Sequence, residues 1–318
     1  MRNSKFMRST DIRPDSGKVF SRRRFLERAP LAALAAGSLA AAGSGQEEAG
    51  TGRAGQDAKK DRAFSSIRVG QVKVYPKKGD LPANHDRLME VLAAIEETGA
   101  VDVVITPEGF LDGYVSTEAA VGRDNMADYA IHPETSDYVG AVRQWARRNR
   151  AWLIYGCTRK APDGLFNTAL ILDRRGGLVG TYDKLHLQRH DLKYDPGRHL
   201  RAYDSDFGTF GVMICADRRW PETVRTLALQ GAGVIFNPTY GMHGDLNLCM
   251  MRTRAYENGI YIAFTHPGQS LITGPGGNIV CNNERDEETF TVTQVDLSDA
   301  LADRDGHLRD RRADLYKL

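Results

Sequence analysis

Cysteine is scarce in this sequence, with four in 318 residues: Cys157, Cys215, Cys249 and Cys281. No two stand in a CxxC pair, so neither a zinc ribbon nor a thioredoxin-like redox motif is indicated. A chain this long buries a core without covalent staples, and the irregular cysteine spacing predicts no structural disulfide. An excess of one charge is also missing. The net charge is only +2, and part of the basic surplus sits near the N-terminus. With no stripe of Lys and Arg along the body, a nucleic-acid footprint is excluded. The eight histidines show no HExxH or similar ligand spacing, so no metal is expected. No apolar run reaches the roughly 20 residues that a membrane-spanning helix needs, and no stable membrane insertion is expected. Internal repeats are absent, as is any domain linker after Ile67. What remains, 41% hydrophobic and 26% charged residues, is the composition of an ordinary soluble globular protein.

The first segment reads as an address. Ser21-Arg22-Arg23-Arg24-Phe25-Leu26 precedes a weakly apolar, Ala-rich run from Ala29 to Gly43. Basic residues, an apolar stretch and small residues in that order describe an export signal. The S-R-R-x-F-L pattern resembles a twin-arginine signal in particular. Residues 1–44 are therefore expected to direct export to the periplasm or the cell exterior. Residues 45–66, without apolar periodicity, are expected to form a flexible lead-in, and 67–318 a single domain.

The body alternates strand-like and helix-like patterns. Ile67 to Val74 alternates apolar and polar as a strand does. Leu88, Val91, Leu92 and Ile95 recur at helical spacing. Val101 to Ile105 is a valine-rich run that predicts a buried strand, and Ser136 to Arg148 predicts a helix. Trp152–Tyr155, Thr168–Leu172 and Leu178–Tyr182 read as strands, with Gly176-Gly177 turning the last two. Phe210–Ile214 is another buried strand, followed by a helix from Glu222 to Gln230. Val234–Asn237, a helix from Leu246 to Asn258, and strands at Ile260–Thr265, Leu271–Ile272, Ile279–Val280 and Phe290–Val295 complete the set. The pattern predicts an α/β protein with helices covering sheet faces.

Three residues carry chemistry in that frame. Cys215 follows the strand ending at Ile214, where a nucleophile is rigidly aimed. The turn behind it offers backbone N–H groups to a developing oxyanion, with that of Ala216 as the natural donor. Glu108, in Thr106-Pro107-Glu108-Gly109, follows the strand Val101–Ile105. Lys184, in Tyr182-Asp183-Lys184-Leu185-His186-Leu187, follows the strand Leu178–Tyr182. If the strands are parallel neighbours, all three side chains meet at one rim of the sheet. A free thiol is mostly protonated at neutral pH. A carboxylate can take its proton and later give one to a leaving amine, while an ammonium stabilises the thiolate and the oxyanion.

These motifs resemble the nitrilase, or carbon–nitrogen hydrolase, superfamily, whose Glu, Lys and Cys occur in this order. Pro107-Glu108 resembles its "PE" motif, Tyr182 to Leu187 its "Y-x-K-x-H-L", and Ile214 to Glu222 its "I-C-x-D-x-R-x-P-E". Asn167-Thr168-Ala169, Pro196-Gly197, Arg254-Ala255-Tyr256-Glu257-Asn258-Gly259 and Gly274-Pro275-Gly276-Gly277 agree with lesser family marks. The resemblance spans Ile67 to Val295. It implies an α-β-β-α sandwich that pairs through helical faces into a four-layer homodimer, or a higher homo-oligomer, with no cofactor. It also implies a small-molecule amide or N-carbamoyl substrate cleaved through a Cys215 thioester.

Cys215-Ala216-Asp217 resembles the amidase and carbamoylase side more than nitrile-cleaving members. Asp217-Arg218-Arg219-Trp220-Pro221-Glu222 is similar to N-carbamoyl-D-amino-acid amidohydrolases, which makes Arg218 a candidate for the substrate carboxylate. The competing reading pairs Arg219 with Glu222 or Asp217 to brace the loop. The family's second glutamate is missing; counting back from Pro196 puts His190 in its place, with Asp191 next, in a shortened loop from Gln188 to Asp195, and either residue could orient Lys184 or the substrate. Tyr114, Tyr240 and His243 are further pocket candidates, whereas His186, Cys157 and Cys249 read as packing residues. The alternatives are nitrilase or N-acyltransferase chemistry on the same triad, or a catalytically silent secreted binding protein.

Overall fold

Two hydrogen-bonded sheets of six strands each form the centre of the molecule. The structure, a computed structural model, describes residues 64–302 and 306–316. The expected export signal lies outside the described residues, as does nearly all of the expected lead-in.

The first sheet is built from β1 (Ser66–Val72), β2 (Val103–Ile105), β3 (Trp152–Ala161), β4 (Gly164–Leu172) and β5 (Leu178–Asp183), in that order, with β12 (Phe290–Asp296) outside β1. The second contains β6 (Tyr203–Ser205), β7 (Gly208–Val212), β8 (Val234–Pro238), β9 (Tyr261–His266), β10 (Gln269–Thr273) and β11 (Ile279–Asn283), also in sequence order. Strands β1, β2 and β3 are parallel, as are β7, β8 and β9, while the outer pairs are antiparallel. Helices α1 (Leu81–Glu97) and α2 (Asp137–Asn149) cover the first sheet, and α3 (Pro221–Leu229) and α4 (Asp245–Asn258) cover the second. Two sheets flanked by helices make the expected α/β sandwich.

Alternation along the strands separates the layers. Val103 and Ile105 face the inter-sheet core, while Val104 between them packs with Leu88, Leu92 and Val142 under the helices. An aromatic layer joins the sheets: the Trp152 and Phe210 ring centroids lie 5.5 Å apart, and those of Phe210 and Phe236 5.4 Å. Such pairs add about 0.5–1.5 kcal/mol each beyond the area they bury. Phe64, which the sequence placed in the lead-in, also packs against this core.

The helix ends obey local chemistry. The Asp80 side chain accepts the Ala83 N–H at the start of α1, and Ser136 caps α2 in the same way. Gly259, at φ +63°, ends α4 in the left-handed conformation that glycine tolerates best.

Several expectations are corrected. The strand expected at Trp152–Tyr155 runs on to Ala161 and pairs with β4 in a hairpin turned by Pro162-Asp163. The short strand β6 was not foreseen; three residues give too little periodicity to show. The strand before the cysteine ends at Val212, so Cys215 opens a short 3₁₀ turn (Cys215–Arg219) three residues further on. Cys249 is exposed rather than packed, because α4 buries Asn247, Met251, Ala255 and Asn258 on a neighbouring stripe. Cys157 is buried as expected, and all four cysteines are free.

Candidate active site

Glu108, Lys184 and Cys215 come together across the sandwich, and this corrects the picture of three neighbouring parallel strands. Glu108 and Lys184 follow β2 and β5, which are separated by β3 and β4 in the first sheet. Cys215 follows β7 in the second sheet. The residues meet because those strand ends lie at one end of the sandwich and the two sheets face each other there.

A dry ion cluster forms the floor. The Lys184 ammonium donates to Glu108 Oε1 at 2.7 Å and to Asp191 Oδ2 at 2.6 Å, with all three side chains fully buried. Its third hydrogen bond goes to the Tyr114 hydroxyl at 3.1 Å. Burial alone disfavours the ammonium, but Glu108, Cys215 and Asp191 outweigh it and hold the Lys184 pKa above the ordinary lysine value.

Glu108 is fixed from both sides. Asn167 Nδ2 donates to Oε1 at 2.9 Å, and the Tyr240 backbone N–H donates to Oε2 at 3.1 Å. Behind it, the β3 backbone packs so closely that a Cβ on Gly156 would collide with the Pro107 carbonyl oxygen. Gly197 admits the Lys184 segment in a similar manner: its N–H donates to the Lys184 carbonyl at 2.9 Å, and a Cβ there would strike the Asp183 carbonyl.

Cys215 sits at φ +45°, in the left-handed region that a non-glycine residue enters at a cost of about 1–3 kcal/mol. Asp217 holds this turn. Its buried carboxylate accepts the Ile214 N–H at 3.0 Å, the Tyr182 hydroxyl at 2.7 Å, and the His186 N–H and Nδ1 at 2.9 and 2.7 Å. The His186 ring in turn stacks on Trp220, with centroids 3.9 Å apart. His186 is thus a packing residue of the loop, as the sequence suggested. Burial first, and then Glu108, push the Cys215 thiol pKa up; Lys184, Arg218 and the Gly241 N–H pull it back only in part. The resting group is a neutral thiol beside a carboxylate. Ala216, the expected oxyanion donor, follows directly and is buried.

Of the two residues standing where the family has its second glutamate, the structure brings Asp191 to the lysine. Asp191 also accepts the Tyr114 hydroxyl at 2.6 Å. That hydroxyl has one proton to give, so His190 Nε2, 2.9 Å away, donates to it. His190 thereby hydrogen-bonds the cluster through Tyr114, with its Nε2 3.8 Å from Asp191 Oδ1.

Arg218 is buried. It donates from Nε to Asn247 Oδ1 at 2.7 Å and from a terminal nitrogen to the Met242 carbonyl at 2.6 Å, while its other terminal nitrogen lacks a partner in the structure. Asp217 is fully engaged elsewhere and Arg219 is exposed, so Arg219 does not brace the loop through Asp217. The brace is Arg254, which donates to the Arg218 and Arg219 carbonyls at 3.3 Å each.

His266 was missed by the sequence reading. Nothing marks a histidine at the end of a strand as different from core. Its Nδ1 accepts the Gly268 N–H at 3.0 Å, so the proton lies on Nε2, which donates to the Tyr240 carbonyl at 2.8 Å. The His243 ring stacks on it at 4.3 Å. Burial, then His243, push the His266 pKa down to about 4. This neutral ring holds the Tyr240 carbonyl; the Tyr240 N–H on one side donates to Glu108, and the Gly241 N–H on the other faces the Cys215 sulfur. Tyr240 and His243 therefore belong to the surroundings of the thiol. Asn167, quoted only as a lesser motif mark, proves to be a direct partner of Glu108.

Among the described residues, no group of three or more His, Cys, Asp or Glu is placed to hold a metal ion, and no helix is long and apolar enough to cross a membrane. The arrangement as a whole brings a thiol, a carboxylate and an ammonium together, buried from bulk solvent, in a form suited to acyl chemistry.

The family model for carbon–nitrogen hydrolases matches residues 66–305, and the chain belongs to that family. It is accordingly a hydrolase of the nitrilase superfamily, with a small C–N compound as its class of substrate. It is 29% identical over 272 residues to a nitrilase of Pyrococcus abyssi, covering 79% of this chain and 99% of that one. It is 25% identical over 285 residues to an omega-amidase of Saccharomyces cerevisiae, covering 79% and 94%. Among solved structures, an amidase from Nesterenkonia sp. superposes with a TM-score of 0.65 at 23% identity, covering 79% of this chain and 95% of that one.

Proposed function

We propose that the protein hydrolyses the C–N bond of a small carboxamide or N-carbamoyl compound, with Cys215 as nucleophile, Glu108 as general base and acid, and Lys184 as electrostatic stabiliser. The observation that carries this reading is the buried Glu108–Lys184–Asp191 cluster, electrostatically coupled to a thiol held neutral. As sulfur attacks the carbonyl carbon, the S–H proton passes to Glu108. The oxyanion faces the Lys184 ammonium and the Ala216 N–H; one such donor is typically worth roughly 10²–10³ in rate. Collapse expels the amine, which takes the proton back from Glu108 and leaves a thioester. Water then attacks the thioester, Glu108 receiving its proton, and the acid departs as the thiol re-forms.

Asp191 fits the role of keeping Lys184 charged and aimed. The Cys-Ala-Asp sequence and the amidases among the relatives favour amides over nitriles. Export on the Ser21–Leu26 signal and pairing through the helical faces complete the proposal.

The test is ammonia release from a panel of carboxamides, N-carbamoyl amino acids and nitriles by wild type, Cys215→Ala and Glu108→Gln. The expected result is release from amides or carbamoyl compounds that vanishes in Cys215→Ala and falls about 10²–10⁴-fold in Glu108→Gln. Activity surviving in Cys215→Ala would remove the cysteine from the mechanism. An acyl adduct on Cys215 that hydroxylamine, but not water, discharges would identify a transferase.

A further inference from the structure

The loop from β1 to α1 places Lys78 against the same tyrosine that contacts the thiol loop. The Lys78 ammonium donates to the Tyr114 carbonyl at 3.1 Å and to Thr117 Oγ1 at 2.7 Å. It stands 4.2 Å from the centroid of the Tyr240 ring. Tyr240 gives its N–H to Glu108, and Gly241 after it contacts the Cys215 sulfur. Tyr240 therefore stands between the two groups, its ring against Lys78 and its backbone against Glu108 and the thiol loop.

That cation is only half-buried and has no carboxylate within ion-pair distance among the described residues. Glu118, Asp112 and Glu108 act on it from farther off. Burial pulls its pKa below the ordinary lysine value, and those acids restore it only in part. Two hydrogen bonds account for two of its three donors. Tyr240 lies against it, and the Tyr240 ring meets that of Tyr75, which is 58% exposed, edge to face at 6.2 Å. This is an amphipathic rim open to solvent. Arg218, the cation that the sequence offered as a candidate for substrate recognition, is buried and tied to Asn247 and the Met242 carbonyl, with one terminal nitrogen unpartnered.

We propose that Lys78 is a specificity-determining residue that receives a carboxylate at the end of the substrate remote from the scissile C–N bond. The amide plane would lie at Cys215, the intervening carbons along the Tyr240 ring, and the carboxylate on the free donor of Lys78. This rests on the amide-hydrolase reading above and names its substrate class: the monoamide of a short dicarboxylic acid, or a close isostere. A charge-assisted hydrogen bond in such a rim discriminates about 10- to 100-fold.

The experiment compares kcat/KM of the full chain for matched pairs. Succinamate and butyramide differ by a carboxylate in place of a methyl group, and malonamate and glutaramate vary the reach. Wild type is expected to favour one of the acids over its neutral partner. Lys78→Gln is expected to reduce that preference about 10- to 100-fold, chiefly through KM, and Lys78→Arg to restore most of it. If Lys78 only pinned the Tyr114 carbonyl, Lys78→Gln would depress acid and neutral amide alike, and the unchanged ratio would overturn the proposal. Loss of the preference in Arg218→Lys but not in Lys78→Gln would overturn it as well.

A binding measurement separates this inference from the hydrolase reading. Calorimetry of the same acids with Cys215→Ala protein, with and without Lys78→Gln, requires no turnover. Weaker binding of the acid in the double variant supports the Lys78 contact even if no amide is hydrolysed. Equal binding, or none to either protein, refutes it even if hydrolysis is established.

Discussion

His266 gives the most direct test of how the site is held. Its ring is neutral, accepts from Gly268 and donates to the Tyr240 carbonyl, and its pKa is pushed down to about 4 from an ordinary value of 6.5. Above pH 6.5 the ring is neutral in both the folded and unfolded chain, and its contribution to stability is fully present. As pH falls from 6.5 to 4, the unfolded chain takes up a proton that the folded ring refuses, so stability declines. Below 4 both states carry the proton and the slope flattens. That interval corresponds to about 3 kcal/mol of linked stability. Carboxylates titrate in the same range, so the informative quantity is the difference between wild type and His266→Gln. The glutamine keeps an N–H donor for Tyr240 and has no proton to gain. Urea unfolding at half-unit pH steps between 7 and 4 is expected to show a steeper loss in wild type, with the two curves converging by about that amount. Parallel curves would refute both the buried neutral ring and its role in fixing the Tyr240–Gly241 peptide.

Three further outcomes follow from the geometry. Gly156→Ala drives a methyl group into the Pro107 carbonyl; a loss of about 1–3 kcal/mol in the urea midpoint is expected, with a larger fall in kcat than in substrate affinity as Glu108 shifts. Asp191→Asn leaves Lys184 with one carboxylate in a fully buried cluster. It is expected to cost about 3–5 kcal/mol in denaturant unfolding, and Asp191→Glu to retain more activity than Asp191→Asn. Thiol labelling of the native protein is expected to reach exposed Cys249 first and to spare Cys157, whose thiol pKa burial raises well above the ordinary value; peptide mass mapping with Cys157 modified ahead of Cys249 would contradict the assigned burial.

The Glu108, Lys184 and Cys215 motifs were legible in the sequence because each sits where an apolar run stops. Hydrophobic periodicity marks such ends well. Their mutual placement was not legible. The sequence suggested neighbouring strands, whereas Cys215 comes from the opposite sheet. Pairing between layers leaves no periodic trace in one chain. Helix boundaries were close, Pro221–Leu229 against an expected Glu222–Gln230, because proline and glycine punctuate them. The long β3–β4 hairpin was cut short at Tyr155, where the run of large apolar residues stops, although the strand continues through Arg159 and Lys160 to Ala161. In fact the Arg159 guanidinium lies over the Phe166 ring and pairs with Asp183. Counting along the chain put His190 at the missing glutamate's position with Asp191 beside it, and only side-chain geometry brings Asp191 rather than His190 to Lys184. Lys78 and His266 act through backbone carbonyls and ring faces, which no sequence motif encodes.

Cys215 belongs to one sheet, and Glu108 and Lys184 belong to the other. A reaction that needs all three works as a vernier between two plates. A slip of a few tenths of an ångström along the Trp152–Phe210 layer would leave every strand intact and still misalign thiol and carboxylate. Loosening by heat or mild denaturant should therefore silence the enzyme while its circular dichroism is still native, so that turnover is a finer gauge of the inter-sheet fit than any probe of secondary structure.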